Sequence, residues 1–357
     1  MKHDARLDAP PGVPARALAR LAAFLFPLRG ERPEPHELRR VLVVRPDDRV
    51  GNALLTIPLA LALRDALPEA RVDLLLARRR ACVAEGLPGI RVVPFEKTDA
   101  FRHPARFLRF LRQLRAARYD AVIDAAHWHA FSTTSALLSR FAARRWLVGA
   151  ERGPSFLYSY AEPPPAAGTP EASAKLLLLR GLGVPPPSRL SLQTALGRER
   201  AAWASEATRG LARFAAVNPG ARKGDHRWPP ERFAALVRAL REKGVPSLVT
   251  WGPGEEQLAS LVATEGAAQL APATDLDQLA ALFRRASIVV TNDTGPMHLA
   301  VACGAPVLAL LHAPQGARFS HPGPRFVGLV APEVSEAVAA AGRLLDSEGA
   351  AFEPARG

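Results

Sequence analysis

The stretch "RVLVVRPDDRVGNALLTIPLALALRDALP", Arg40 to Pro68, decides the fold. A short apolar run, Val41 to Val44, ends in a charged loop, Arg45 to Arg49. Gly51 and Asn52 then open an apolar-periodic segment, predicted as one helix to about Leu67 and kinked at Pro58. Strand, polar loop, glycine, helix is the unit from which α/β proteins build ligand sites at the carboxyl ends of their strands. The same alternation runs through most of the chain. "RVDLLLA" predicts the next strand, "FRHPARFLRFLRQLRAARY" a basic amphipathic helix, and "DAVIDAAHW" another buried strand.

Proline-rich breaks, "AEPPPAAGTP" and "LGVPPPSRLSL", predict a hinge near residues 184–192. The pattern restarts with "RFAAVNPG", a helix from Pro229 to Glu242, "VPSLVTWGPG", a helix from about Glu255, and a last helix from about Glu333 to Leu345. The expectation is two doubly wound domains facing across a cleft, residues 36–190 and 191–350, preceded by a basic extension over residues 1–35. Within that extension "ARALARLAAFLFPLRG", Ala15 to Gly30, is too short to span a bilayer. It reads as a membrane-surface segment or as a disordered, loosely docked one.

A length of 357 residues fits two cores better than one, and 47 Lys and Arg against 34 Asp and Glu give a net charge of +13. Such a chain favours anionic partners, or is simply rich in arginine. A nucleic-acid partner is not expected, because the arginines are spread and no basic strand interleaved with aromatics occurs. Cys82 and Cys303 are too few for a disulfide framework and match no metal-site spacing, which fits a reducing cytoplasm.

Three loops carry chemistry. In "SIVVTNDTGPMHLAVACG", Ser287 to Gly304, a strand ends in Asp293, Thr294 and Gly295 before Pro296 opens a helix. Free amides from Thr294 to Met297 at a helix start suit a phosphate, with Asp293 and His298 at the same mouth; the alternative is an ordinary helix cap. In "VNPGARKGDHRWPPERFAALVRAL", Arg222, Lys223, His226 and Arg227 crowd a helix N-terminus, where the dipole repels cations unless they share an anion. The opening loop offers Asp47 and Asp48 as acid–base groups, or as simple partners of Arg45 and Arg49.

Together these loops resemble glycosyltransferase family 9, the ADP-heptose:lipopolysaccharide heptosyltransferases, and the likeness runs from about Val41 to Val330. The resemblance implies a GT-B fold, with the acceptor on the N-terminal domain, beside Arg45, Arg49 and Gly51, and the nucleotide-sugar on the C-terminal one. It implies an inverting transfer of heptose from ADP-heptose to an anionic lipopolysaccharide core acceptor. No metal or other cofactor is implied, and the setting is cytoplasmic, at the inner membrane surface. Asp293, Thr294, Gly295 and His298 match the motif that holds ADP, and Glu255 with Glu256 match the region contacting the nucleoside. The family's lysine before its Arg/His-Trp-Pro triplet falls on His226, for which Lys223 or Arg222 would substitute.

The family's base, an aspartate after the motif glycine, falls on Asn52, and a neutral amide cannot accept a proton at useful pH. Asp47, Asp48, Asp124 or His127 would then serve as base, with Asn52 orienting. Otherwise departure of ADP carries the reaction and proton loss comes late. A different nucleotide-sugar, used for O-antigen or capsule, and a catalytically silent sugar-nucleotide binder are the alternatives.

Overall fold

A computed structural model describes residues 13–152, 154–222, 224 and 227–349. The chain divides into two compact units between Ser191 and Leu192. In the first, helix α1 (Val13–Leu25) precedes β1 (Arg40–Arg45), α2 (Val50–Leu54), α3 (Ile57–Ala66), β2 (Arg71–Ala77) and β3 (Ile90–Phe95). Then come α4 (Asp99–Arg102), α5 (Pro104–Ala116), β4 (Tyr119–Asp124), α6 (Thr133–Ala142), β5 (Ala143–Ala150), β6 (Tyr160–Glu162) and α7 (Glu171–Leu176). The second unit runs α8 (Ala201–Ala207), β7 (Ala215–Asn218), α9 (Pro230–Glu242), β8 (Ser247–Val249), α10 (Glu256–Gly266) and β9 (Gln269–Leu270). It closes with α11 (Leu276–Arg285), β10 (Ile288–Asn292), α12 (Gly295–Ala302), β11 (Val307–Leu311), β12 (Phe326–Val330) and α13 (Val334–Gly349).

Both sheets are parallel and six-stranded, ordered β3-β2-β1-β4-β5-β6 and β12-β11-β10-β7-β8-β9. Counted along each unit, this is the same Rossmann order, 3-2-1-4-5-6, built twice. The order reverses between β1 and β4 in one sheet and between β7 and β10 in the other, and ligands of open α/β sheets bind beyond the strand ends at such switch points. Central strands read as unbroken apolar runs because both faces are covered. Val41 to Val44, for example, are fully buried, as are Ile288 to Val290.

The helix predicted from Asn52 to Leu67 is two helices. Pro58 has no N–H to donate back into the preceding turn, so α2 ends at Leu54 and α3 begins at Ile57. Thr56 fills the joint and donates its hydroxyl to the Asn52 carbonyl at 2.9 Å. Residues 13–35, expected as a membrane-surface segment or a disordered, loosely docked one, pack onto the first unit. Ala19 is buried beside Ala136 of α6 and Leu157, Arg140 donates to the Ala23 carbonyl, and Trp146 donates to the Glu31 carbonyl at 2.7 Å. Among the described residues no helix is long and apolar enough to cross a membrane.

Candidate active site

In the first unit the pairing of Val44 with Asp124 lays the ends of β1 and β4 side by side. The loops that follow them therefore meet, and a polar chain forms there. Asn52 donates Nδ2 to Asp47 Oδ1 at 2.7 Å, and its Oδ1 lies 3.0 Å from His127 Nε2. His127 Nδ1 makes a close contact with Glu171, the first residue of α7. Glu171 pairs with Lys175 one turn later at 3.3 Å. Lys175 and Arg45 both donate to the Ala125 carbonyl, at 2.6 and 3.0 Å. Arg45 also stands 2.6 Å from Asp47 Oδ2, an ion pair without hydrogen-bond alignment.

An ionised Asp47 accepts only, so it fixes the Asn52 amide with Nδ2 towards itself and Oδ1 towards His127. His127 Nε2 must then donate, and a second proton lies between Nδ1 and Glu171. Histidine and glutamate together are thus a neutral pair, whichever atom holds that proton. Burial, followed by Arg45 and Lys175, works against a charged imidazole. Burial would likewise raise Glu171, but Lys175 and His127 outweigh it and hold the carboxyl far below its usual range. Burial pushes Lys175 down to about 8 despite Glu171. The bonds to Asn52 and Glu171 require that second proton against both the burial of the imidazole and the pull of Lys175 on Glu171. His127 therefore presents a donor here, not a base.

The remaining acceptor-side residues separate into two groups. Arg45 is buried, whereas Arg49 is exposed at the cap of α2 and Gly51 lies in its first turn. Asp48 is turned to Arg80 at 2.9 Å and takes no part in the chain of bonds. Asp124 does not face solvent: only 1% is exposed, and it accepts from Ser135 at 2.5 Å, Tyr158 at 3.0 Å and the Ala126 amide at 3.3 Å. That corrects the expectation that it faces a substrate, because the strand end carrying it points into packed side chains. Glu171 and Lys175 were missed altogether. Their i,i+4 spacing reads as a surface ion pair, and nothing in it signals that both are buried.

One group of three described residues, His127, His129 and Glu171, brings potential metal ligands within 4.8 Å of one another. The two imidazoles stack, 4.7 Å between centroids and 20° apart. Their in-plane lone pairs therefore run alongside each other and do not converge as ligands roughly 2.0–2.1 Å from one ion must. Lys175 beside the carboxylate adds repulsion.

In the second unit the loops after β7 and β10 meet at the other switch point, and Asn292 joins them. This fully buried amide donates Nδ2 to the carbonyls of Pro219 at 2.9 Å and Gly220 at 3.2 Å, and accepts the Trp228 amide at 2.9 Å. In the sequence Asn292 stands out only as the second polar residue, after Thr291, at the end of an apolar strand. Beyond it Thr294 is the extended N-cap of α12, with no capping bond from its side chain. Of the amides expected free, Met297 donates to the Thr294 carbonyl at 3.1 Å and Pro296 has none, leaving Thr294 and Gly295.

Asp293 is half-buried, and burial pushes its carboxyl up to about 6 against the weak pull of Arg318. His298 is buried, not open at the mouth as expected: its Nδ1 is 2.8 Å from Nε2 of His321. Burial holds it well below an ordinary imidazole and His321 down to about 4, so the pair is neutral. Glu255 folds against Gly220, where a Cβ would fall 2.0 Å from its Oε2. It also accepts the Gly252 amide at 3.2 Å and lies 3.9 Å from Arg227. Arg222 is exposed, and Arg227 donates to the Ala221 carbonyl at 2.9 Å. Lys223 and His226 lie outside the described residues.

Comparison with known proteins follows this geometry. The family model of glycosyltransferase family 9 (heptosyltransferase) matches residues 107–329. Lipopolysaccharide heptosyltransferase 3 of Escherichia coli is 25% identical over 283 residues, covering 74% of this chain and 81% of that protein. A family 9 glycosyl transferase from Veillonella parvula superposes with a TM-score of 0.74 at 20% identity, over 87% of this chain and 97% of that one. Escherichia coli heptosyltransferase WaaC with ADP gives a TM-score of 0.69 at 25% identity, over 87% and 99% of the two chains. The same enzyme with ADP-2-deoxy-2-fluoro heptose gives 0.66. Two Rossmann-type units and these likenesses make the fold GT-B, and the chain belongs to glycosyltransferase family 9, the heptosyltransferases.

Proposed function

We propose that this protein transfers heptose from ADP-heptose to a hydroxyl of the anionic lipopolysaccharide core, with inversion and without a metal, in the cytoplasm at the inner membrane surface. The observation that carries the reading is the second-unit switch point. There Asn292 locks two motif loops together, and the Thr294 and Gly295 amides stand at a helix start in the motif that matches the family's ADP site. That WaaC, which matches 87% of this chain, is solved with ADP and with ADP-2-deoxy-2-fluoro heptose supports an ADP-linked donor. Glu255 in its glycine cradle suits the nucleoside.

On the acceptor side Asp47 is the base and Asn52 its positioning residue. The acceptor oxygen attacks the anomeric carbon as the bond to the β-phosphate oxygen of ADP breaks, and its proton passes to Asp47. Asn52 Nδ2 aims that carboxylate, and the neutral His127–Glu171 pair holds the Asn52 amide in the required sense. Exposed Arg222 and the amides of α12 stabilise the charge developing on the diphosphate. The stacked, non-convergent imidazoles support a metal-free reaction.

The test is a thermal-shift panel with ADP, UDP, GDP, CDP and a short RNA. Ligand at about 100 times its Kd adds roughly 2.7 kcal/mol of stability, and ADP is expected to protect selectively. Protection by another diphosphate alone overturns the heptose donor and favours an O-antigen or capsule sugar. The second reading, a silent sugar-nucleotide binder, is favoured by the amide at position 52. It predicts ADP protection with no ADP release when acceptor is supplied.

A further inference from the structure

Helix α1 is amphipathic the wrong way round for a helix in water. Its one buried residue, among those described, is small: Ala19, only 2% exposed against α6, with Ala15, Ala22 and Ala23 partly covered. It turns Leu18, Leu21, Phe24 and Leu25 outwards, at 50, 53, 82 and 55% exposure. A surface helix ordinarily places its large apolar side chains on the core. Arg16 and Arg20 flank this face and are exposed.

A second basic helix adjoins it. Arg115 of α5 lies 5.1 Å over the ring of Phe26, just past the end of α1, and donates to the Phe141 carbonyl of α6. Along α5, Arg106, Arg109 and Arg112 are exposed, with Leu108 half-exposed among them and Phe101 of α4 87% exposed. Between α5 and β3 runs a groove of about 630 Å³ whose lining includes Arg71, Arg78, Arg91, Arg106 and Arg109. Only Asp73, buried and bonded to Arg91, Arg71 and Tyr119, offsets that charge within the lining.

We infer that α1 and α4–α5 form a docking face for an anionic phospholipid bilayer, the outward leucines and phenylalanines entering the interface and the arginines taking lipid phosphates. The inference deepens the membrane-surface part of the function proposed above and rests on it. Large apolar residues flanked by long cations are what an interfacial helix needs, since the aliphatic stems lie along the acyl boundary while the charges reach headgroups. A second copy fits worse: a two-fold contact through this face would bring two arginine-bearing faces, each with Arg16, Arg20, Arg109 and Arg112, against one another. Nucleic acid would use the arginines but leave the leucine face of α1 in water.

The experiment is flotation of the full chain with phosphatidylcholine vesicles, with and without one-third phosphatidylglycerol. Leu21→Ser/Phe24→Ser and Arg109→Glu/Arg112→Glu are the variants; all four residues are exposed, and unchanged melting serves as the folding control. Wild type is expected to float only with the anionic vesicles. Partitioning should fall about fivefold for each arginine neutralised and further on reversal, and at least roughly tenfold for the apolar pair. Absence of flotation, or flotation of both variants equal to that of wild type, overturns the inference. So does a wild-type dimer that Leu21→Ser/Phe24→Ser converts to monomer without any flotation. RNA binding lost only on charge reversal, again without flotation, replaces the bilayer with a nucleic acid. ADP protection is read in parallel: vesicle capture without it sinks the donor reading and leaves the docking face standing, and the converse result does the opposite.

Discussion

Replacing Asp47 by Asn tests the acceptor-side mechanism most directly. The change keeps the shape of a side chain 36% exposed, removes the carboxylate that Asn52 aims at 2.7 Å, and breaks the pair with Arg45. Loss of a positioned general base costs about 10²–10⁴ in rate, or roughly 2.7–5.4 kcal/mol at 1.36 kcal/mol per decade. The fold loses less, about 1–3 kcal/mol, because buried Arg45 keeps the Ala125 carbonyl. The assay is the initial rate of ADP release with acceptor, across pH, beside ADP protection in a thermal shift. The expected result is a fall in kcat by two to four decades, loss of the acid limb of the profile, and unchanged ADP protection, since the ADP motif belongs to the other unit. A kcat within about threefold of wild type would refute Asp47 as the base. Asn52→Asp is the companion: it sets a second carboxylate beside the first, and two like charges at such range drive one pKa upwards. Its acid limb should move to higher pH. A gain of several decades that persists when Asp47 is also replaced would instead place the base at position 52.

Three further outcomes follow from the second unit and the buried chain. Asp293 has a folded pKa near 6 against an ordinary 3.8; stability from a raised carboxyl is complete below the unfolded pKa and is lost as pH rises through the folded one. Asp293→Asn should therefore unfold at higher urea than wild type at pH ~7.5, by about 1–3 kcal/mol, match it only below about pH 3, where the carboxyl is protonated in both states, and still lose ADP protection. Gly220→Ala pushes a Cβ to 2.0 Å from the flexible end of Glu255; the fold should survive, with melting within a few degrees, while ADP affinity falls as it does in Glu255→Ala. Lys175→Met leaves a buried carboxylate without its cation and should cost about 3–5 kcal/mol in urea unfolding, with Glu171→Gln added to it recovering part of the loss.

The parts of the molecule legible in the sequence were those set by local periodicity. Val41 to Val44 and Ile288 to Val290 are apolar without a break because the sheet is covered on both sides, and that is visible residue by residue. The break at Pro58 was legible as a kink; its size was not, since Thr56 had to supply the joint. What the residues alone concealed depends on pairings far apart in the chain. His127 meets Glu171 across 44 positions, and Asn292 meets Gly220 across 72. Asp124 misled for the same reason: nothing near it in sequence tells that Tyr158, 34 residues on, closes over it. Ala15 to Gly30 read as a membrane-surface or loosely docked segment, and only packing shows which face its leucines take.

Asn292 has a consequence for how this protein can change. One side chain holds the carbonyl of Gly220 and the amide of Trp228, so the segment from Ala221 to Arg227 leaves and returns at a single anchored point. Closing a loop on a fixed stem costs little more as the loop varies, roughly 0.6 kcal/mol for a doubling of length. The segment is thus a cassette. Strand, stem and helix stay in place whatever length of chain joins Gly220 to Trp228. Another family member's loop can accordingly be grafted between Gly220 and Trp228 without refolding the unit beneath it.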